Sequence, residues 1–119
     1  MNPIRAFGVC CIATAIIMMI LIIDAAMEKS IATIFESLWR EKWGVVTLVD
    51  LYAGFAIVGI WIAYCERSAK RWLPWIIALL LLGNVATLAY IGWRSRKSNT
   101  WRDMIMPALP EAIVPQASA

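Results

Sequence analysis

The chain contains no histidine, which removes the commonest metal ligand and the commonest acid–base catalyst among protein side chains. Its cysteines are Cys10, Cys11 and Cys65, so no Cys-x-x-Cys spacing indicates a metal or redox site. The sequence also has no glycine-rich phosphate loop and no nucleophile elbow. These absences predict a protein that is not an enzyme and holds no metal. No cofactor is predicted, and bound lipid or pigment stays open.

Charge is also scarce. Charged residues make up 16% of the chain and apolar residues 62%, against roughly 25% charged residues in an ordinary soluble domain. The net charge of +3 lies mostly at the ends of apolar runs, which favours headgroup anchoring over nucleic-acid binding. With 119 residues there is room for one small domain. The composition predicts an integral membrane protein whose first partner is the lipid bilayer.

Three apolar runs organise the chain. Residues 6–23 and 72–93 carry no charge, and residues 44–64 carry one. About 20 apolar residues cross a bilayer core, and a backbone in lipid must satisfy its own hydrogen bonds, as a helix does. We therefore predict an all-α fold with three transmembrane helices, forming one membrane domain over residues 1–97.

The first run could instead be a secretory signal peptide. Its apolar region is longer than the usual ~7–15 residues. The segment at residues 23–26 (Ile-Asp-Ala-Ala) is also a poor cleavage site. A retained first helix is favoured.

A short amphipathic helix is predicted over residues 30–41, lying in the membrane interface. Apolar residues recur there at the spacing of one helix face. They are Ile31, Ile34, Phe35, Leu38 and Trp39. The alternative is a docking face for a partner, for which Phe35 and Trp39 are the candidate contacts.

The distribution of positive charge gives a conflicting signal for orientation. Arg5 and the basic second loop favour an N-terminus on the inside. A third crossing would then put the basic residues after position 93 on the outside, where they are disfavoured. The first helix usually dominates, so we predict the N-terminus inside and the C-terminus outside.

The segment 98–119 contains three prolines and is predicted to be an extended tail. Alone it should be floppy, so order in the tail would indicate a partner subunit. The candidate contacts are Trp101, Met104, Ile105, Met106, Ile113 and Val114.

A single carboxylate interrupts the second run. A charge in hydrocarbon costs roughly 2.5–3.5 kcal/mol on insertion scales, so it normally has a partner or a function. If the second and third helices are unbroken antiparallel neighbours, matching their midpoints predicts one polar intramembrane cluster. Its members are Asp50, Thr47, Asn84, Thr87 and Tyr90. The cluster would fix helix register. Alternatively, it would relay protons or cations, or contact a partner, a lipid or a cofactor.

Residues 43–93 resemble a family of small uncharacterised three-helix membrane proteins from cyanobacteria and other bacteria. The matching motifs are Thr47-Leu48-x-Asp50-x-Tyr52, Trp61-Ile62-Ala63-Tyr64-x-Glu66 and Gly83-Asn84-x-Ala86-Thr87-x-Ala89-Tyr90. The match covers under half of the chain, and Val49 stands where the relatives have an aromatic residue. The resemblance implies three helices, an important Asp50 and a bacterial inner membrane, cytoplasmic or photosynthetic. It also implies a link with energy-transducing complexes.

Two functions follow as hypotheses. The first is a non-catalytic accessory subunit of a photosynthetic or respiratory complex, which stabilises assembly through helix packing and its tail. The second is a small homo-oligomeric transporter, or proton- or cation-conducting protein, in which Asp50 is the coupling site.

Overall fold

The computed structural model describes residues 2–107, and within that part the chain is helical and has no strand. The helices are α1 (Pro3–Glu28), α2 (Ile31–Arg40), α3 (Lys42–Glu66), α4 (Ala69–Leu82), α5 (Asn84–Lys97) and α6 (Trp101–Ile105). The predicted all-α class is confirmed. The predictions for Ile113 and Val114 fall outside the described residues.

Two helices, α1 and α3, are long and apolar enough to cross a membrane. They have 26 and 25 residues, and therefore lengths of about 37–39 Å, against a hydrocarbon core of roughly 30 Å. Only 17% and 22% of their most apolar stretches are buried inside the molecule. The central helix of a soluble protein would be mostly covered, so this exposure favours a lipid or protein environment around them.

The prediction of one unbroken helix over residues 72–93 is wrong. The chain reverses at Gly83, where φ is 60° and ψ is −132°, a backbone conformation that essentially only glycine adopts. Each arm of the resulting hairpin has 14 residues. Each arm is therefore about 21 Å long, short of a bilayer core of roughly 30 Å. Two short arms and one long span have the same apolar composition, so residue counting could not distinguish them.

The hairpin packs on the second half of α3. Its turn lies beside Phe55, which is halfway along α3, and α4 runs antiparallel to α3 from there. Phe55 forms an apolar cluster with Leu79 and Ala86, one from each arm. The hairpin therefore covers α3 from about its midpoint to Glu66 and does not reach the first half, where Gly44 and Leu48 are buried instead.

Helix α1 packs closely against α5 in the opposite direction. A Cβ atom on Gly8 would collide with the Ser95 side chain, and one on Gly92 would collide with Ile12. Small residues let helix backbones approach in membranes. This close contact through Gly8 was not predicted from the sequence, in which Gly8 is the single glycine of the first apolar run.

These directions bring four helix ends together. The starts of α1 and α4 lie with the ends of α3 and α5 at what we call the Glu66 end of the molecule. Helix α2 lies at the opposite end, the α2 end, where Gly44 of α3 packs against the Leu38 backbone. The molecule measures 65 × 28 × 24 Å.

Helix α2 lies within the range predicted for it. Its N-cap is Ser30, whose Oγ accepts a hydrogen bond from the Thr33 amide at 3.3 Å, as the hydroxyl of a capping serine does. Phe35 and Trp39 are exposed. The placement of this helix in a membrane interface stays a prediction.

Candidate functional site

Among the residues that the structure describes, the most enclosed charged side chain is the carboxylate of Glu66, at the end of α3. Tyr90 Oη donates a hydrogen bond to Glu66 Oε1 at 2.8 Å. Arg94 Nη1 lies 3.5 Å from the same oxygen and 3.4 Å from Tyr90 Oη. The side chains of Arg94 and Glu66 are 12% and 6% exposed. We call these three residues the Glu66 cluster.

The cluster forms because of spacing on α5. Tyr90 and Arg94 are four residues apart, so they lie on one face of that helix. Helices α3 and α5 run in the same direction here, so this face meets the last turn of α3. The four-residue spacing of Tyr90 and Arg94 could have indicated in the sequence that they share a helix face. Nothing in the sequence distinguished Glu66 from any other charged residue at a helix end.

Tryptophans enclose Tyr90, which has no solvent exposure. Trp61 and Trp75 contact it edge-on, with ring centroids 5.4 and 5.0 Å away. Trp93 lies 6.0 Å from it in a tilted arrangement. An apolar surround of this kind strengthens the hydrogen bond to Glu66 and makes an unpaired charge there costly.

Arg94 also fixes the segment after α5. Its Nε donates to the Met104 carbonyl at 2.8 Å, and its Nη2 donates to the carbonyls of Asp103 and Met106 at 2.9 and 2.8 Å. The last carbonyls of a helix have no partners inside the helix, so the guanidinium caps α6. Trp61 Nε1 donates to the Ile105 carbonyl at 2.9 Å.

The prediction of an extended tail is therefore wrong for residues 101–105. Helix α6 starts with a capping box, in which Thr100 Oγ1 accepts from the Asp103 amide and the Asp103 carboxylate accepts from the Thr100 amide. A helix of 5 residues is too short to be stable alone. The bonds from Arg94 and Trp61 hold it, and composition did not reveal them.

Some of the tail residues that were predicted to contact a partner make contacts within the chain instead. Met104 is buried, and Trp101 packs edge-on against Phe7 with ring centroids 5.6 Å apart. Ile105 and Met106 are about half exposed. Order in this segment is thus explained without a partner, and the outer sides of these residues stay available for one.

The five residues of the predicted intramembrane cluster are not brought together. Asp50 and Asn84 are exposed, Thr47 Oγ1 donates to the Trp43 carbonyl of its own helix, and Tyr90 belongs to the Glu66 cluster. Thr87 Oγ1 is buried without a hydrogen-bond partner among residues 2–107. Matching midpoints assumed an unbroken third helix, and the reversal at Gly83 removes that assumption.

A pocket of about 790 Å³ opens beside the Glu66 cluster. Five of its lining side chains are cationic and two are acidic. The cations are Arg67, Arg71, Arg94, Lys97 and Arg102, and the acids are Glu66 and Asp103. We call it the basic pocket. Lys97 Nζ lies 4.1 Å from the centre of the Trp93 ring, a cation–π contact.

No family model, curated protein or solved structure matches this chain. The resemblance described above therefore stays a prediction.

Proposed function

We propose that the chain is a non-catalytic subunit of a larger membrane protein complex. In this proposal α1 and α3 cross the bilayer, and the α4–α5 hairpin enters from the Glu66 end and returns to it. The first half of α3 provides the binding surface for another subunit. The observation that carries the proposal is the exposed carboxylate of Asp50 on that half.

Asp50 lies in the middle of an exposed apolar face. Trp43, Val46, Asp50, Ala53, Gly54 and Ile57 recur three or four residues apart along α3, and each is exposed. We call them the Asp50 face. A Cβ atom built on Gly54 has nothing within 4 Å. The small residues one turn after Asp50 thus leave room for another helix to approach closely.

The energetics favour a protein partner at this face. The Asp50 side chain makes no hydrogen bond or ion pair within residues 2–107. Facing lipid, an isolated carboxylate costs roughly 2.5–3.5 kcal/mol. A neighbouring helix that supplies a donor or a cation removes most of that cost. We therefore expect the occupant to be a transmembrane helix of an unlike chain, with such a group opposite Asp50. Phe35, Trp39 and the outer side of α6 provide further contact surface.

Purification from native membranes in mild detergent tests this proposal. We expect the tagged chain to bring down an unlike membrane protein in fixed stoichiometry, identified by mass spectrometry. Asp50→Val should reduce its recovery at least tenfold, because the donor on the partner loses its acceptor. Thr47→Val is the matched control, since Thr47 bonds to its own helix, and it should retain the partner. The implied link with energy-transducing complexes makes respiratory or photosynthetic membranes the first source to use.

Recovery of this chain only as a homo-oligomer would contradict the accessory-subunit proposal. It would favour the alternative, an oligomeric transporter or ion-conducting protein with the Asp50 residues around one pathway. In that case Asp50→Asn should abolish transport in proteoliposomes while the oligomer persists.

A hairpin that does not cross the membrane would also remove the conflict in the distribution of positive charge. If α4 and α5 do not cross the membrane, all basic residues except three lie at the Glu66 end. Those at the α2 end are Lys29, Arg40 and Lys42, out of eleven in the chain. The positive-inside rule then supports a cytoplasmic Glu66 end. We therefore keep the N-terminal side inside, and we replace the predicted outside location of residues 98–107 by an inside one.

Cysteine labelling tests this topology. In a variant with all three native cysteines replaced by serine, Asn2→Cys and Asn99→Cys should both resist a membrane-impermeant maleimide in intact cells. Ser37→Cys, on α2, should react. Inside-out vesicles should reverse the pattern. Opposite labelling of positions 2 and 99 would show that the α4–α5 segment crosses the membrane.

A further inference from the structure

We infer that the basic pocket and the groove next to it bind one anionic phospholipid. The phosphate lies among the cations of the basic pocket, and one acyl chain lies in an apolar groove between α3 and α4. This site is separate from the Asp50 face and does not depend on the proposed partner.

Most of the cationic side chains in the basic pocket are not paired with an acidic group. Arg94 is bound to Glu66 and to the carbonyls of α6, and the Asp103 carboxylate is used in the capping box. The other cations make no ion pair within residues 2–107. They are Arg67, Arg71, Lys97 and Arg102. Both acids are thus occupied, and the pocket presents excess positive charge that suits a phosphate.

The backbone at the C-terminus of α3 places one of these cations at the pocket. Arg67 ends the helix in a left-handed conformation, with φ of 55°, where glycine is the usual residue. Its amide donates to the Ala63 carbonyl at 3.2 Å. The chain therefore turns sharply and presents an arginine at the pocket where glycine would leave no side chain.

The groove next to the pocket is apolar and has a volume of about 400 Å³. Ala56, Gly59 and Ala63 line it from α3, and Trp72 and Ile76 line it from α4. From Tyr52 to Ala63 it extends about 16 Å along α3. That length is about half of a ~30 Å hydrocarbon core, the depth of one leaflet.

The groove and the pocket follow each other along both helices. The groove reaches Ala63 and Trp72, and the pocket starts at the neighbouring residues, Tyr64 and Arg71. A cationic site at the helix ends, with an apolar slot lined by neighbouring residues of the same two helices, matches an amphiphile with a phosphate and a hydrocarbon chain. Free phosphate would leave the slot unused, so the geometry favours a lipid.

Native mass spectrometry of the purified full chain tests the inference. Phosphatidylglycerol and phosphatidylcholine with identical acyl chains are titrated separately. We expect one tightly bound phosphatidylglycerol per chain, and at least tenfold weaker binding of phosphatidylcholine. The double variant Arg67→Gln/Arg71→Gln should weaken phosphatidylglycerol binding roughly 30-fold, since each cation near a headgroup contributes about a factor of five. Arg96→Gln is the matched control, because Arg96 is exposed on α5 outside the pocket, and it should change binding less than threefold.

A second pair of variants tests the groove. Ala56→Leu fills it and should weaken phosphatidylglycerol binding at least fivefold. Ala53→Leu, the same change on the Asp50 face, should leave the affinity unchanged. Equal binding of the two lipids, or equal losses in Arg96→Gln and the double variant, would overturn the inference. A different result would identify a free-phosphate site. In that case millimolar inorganic phosphate would displace the lipid, Ala56→Leu would have no effect, and the lipid assignment would be overturned.

Discussion

Arg94→Met should destabilise the chain by about 3–5 kcal/mol, since it leaves a buried carboxylate without its cation. Glu66 is 6% exposed on its side chain, so water from the basic pocket can replace the guanidinium there only in part. The same change removes the donors that bind the carbonyls of Asp103, Met104 and Met106. Helix α6 should then detach from the end of α3.

Two measurements separate these effects. Unfolding by sodium dodecyl sulfate in mixed micelles, followed by circular dichroism, gives the change in stability. Limited trypsin cleavage at Arg102, on α6, reports whether α6 has detached. The control is Arg96→Met, two residues further along α5 at an exposed position, which should change stability by less than about 0.5 kcal/mol.

A double variant identifies the cause. Glu66→Gln/Arg94→Met removes both charges, so it should recover part of the lost stability, while cleavage at Arg102 stays fast because α6 still lacks its cap. If the double variant is as unstable as Arg94→Met, the ion pair is not the source of the loss.

The two long apolar helices were the most predictable part of the fold. Apolar runs of about 20 residues can only be helices in lipid, so α1 and α3 followed from composition, with ends displaced by two to five residues. Composition could not locate the reversal at Gly83, because an apolar residue contributes equally to a span and to a hairpin arm. The unresolved charge conflict in the sequence was the available signal: basic residues on both sides of the predicted third helix are disfavoured if that helix crosses the membrane.

The candidate site was less predictable for a related reason. Asp50 was predicted to be a site residue because it interrupts an apolar run, and in the structure Asp50 is exposed. Glu66 and Arg94 lie at run ends, where charges are ordinary, and their importance comes from meeting each other across two helices. A pairing of that kind depends on the direction of α5, which depends in turn on Gly83.

Gly83 therefore offers the most direct test of the fold itself. Gly83→Ala should destabilise the chain by about 2–4 kcal/mol, because alanine is strained at this φ and ψ and overpacks its surroundings. The added Cβ would lie 2.8 Å from Cζ of Phe55, so the ring or the turn must move.

Gly54→Ala provides the matched control, because it is the same substitution at a similar level along α3, next to Phe55 in the sequence, with the opposite expected sign. Gly54 lies inside α3, and a Cβ there meets nothing within 4 Å, so alanine should stabilise the isolated chain by about 0.5–1 kcal/mol through helix propensity. Unfolding in mixed micelles measures both variants. Equal effects at the two positions would show that Gly83 does not need its left-handed conformation, and a continuous third helix would then have to be reconsidered. The same position also tests the proposed complex. Gly54 lies on the Asp50 face, so Gly54→Leu should weaken binding of the proposed partner while leaving the isolated chain folded.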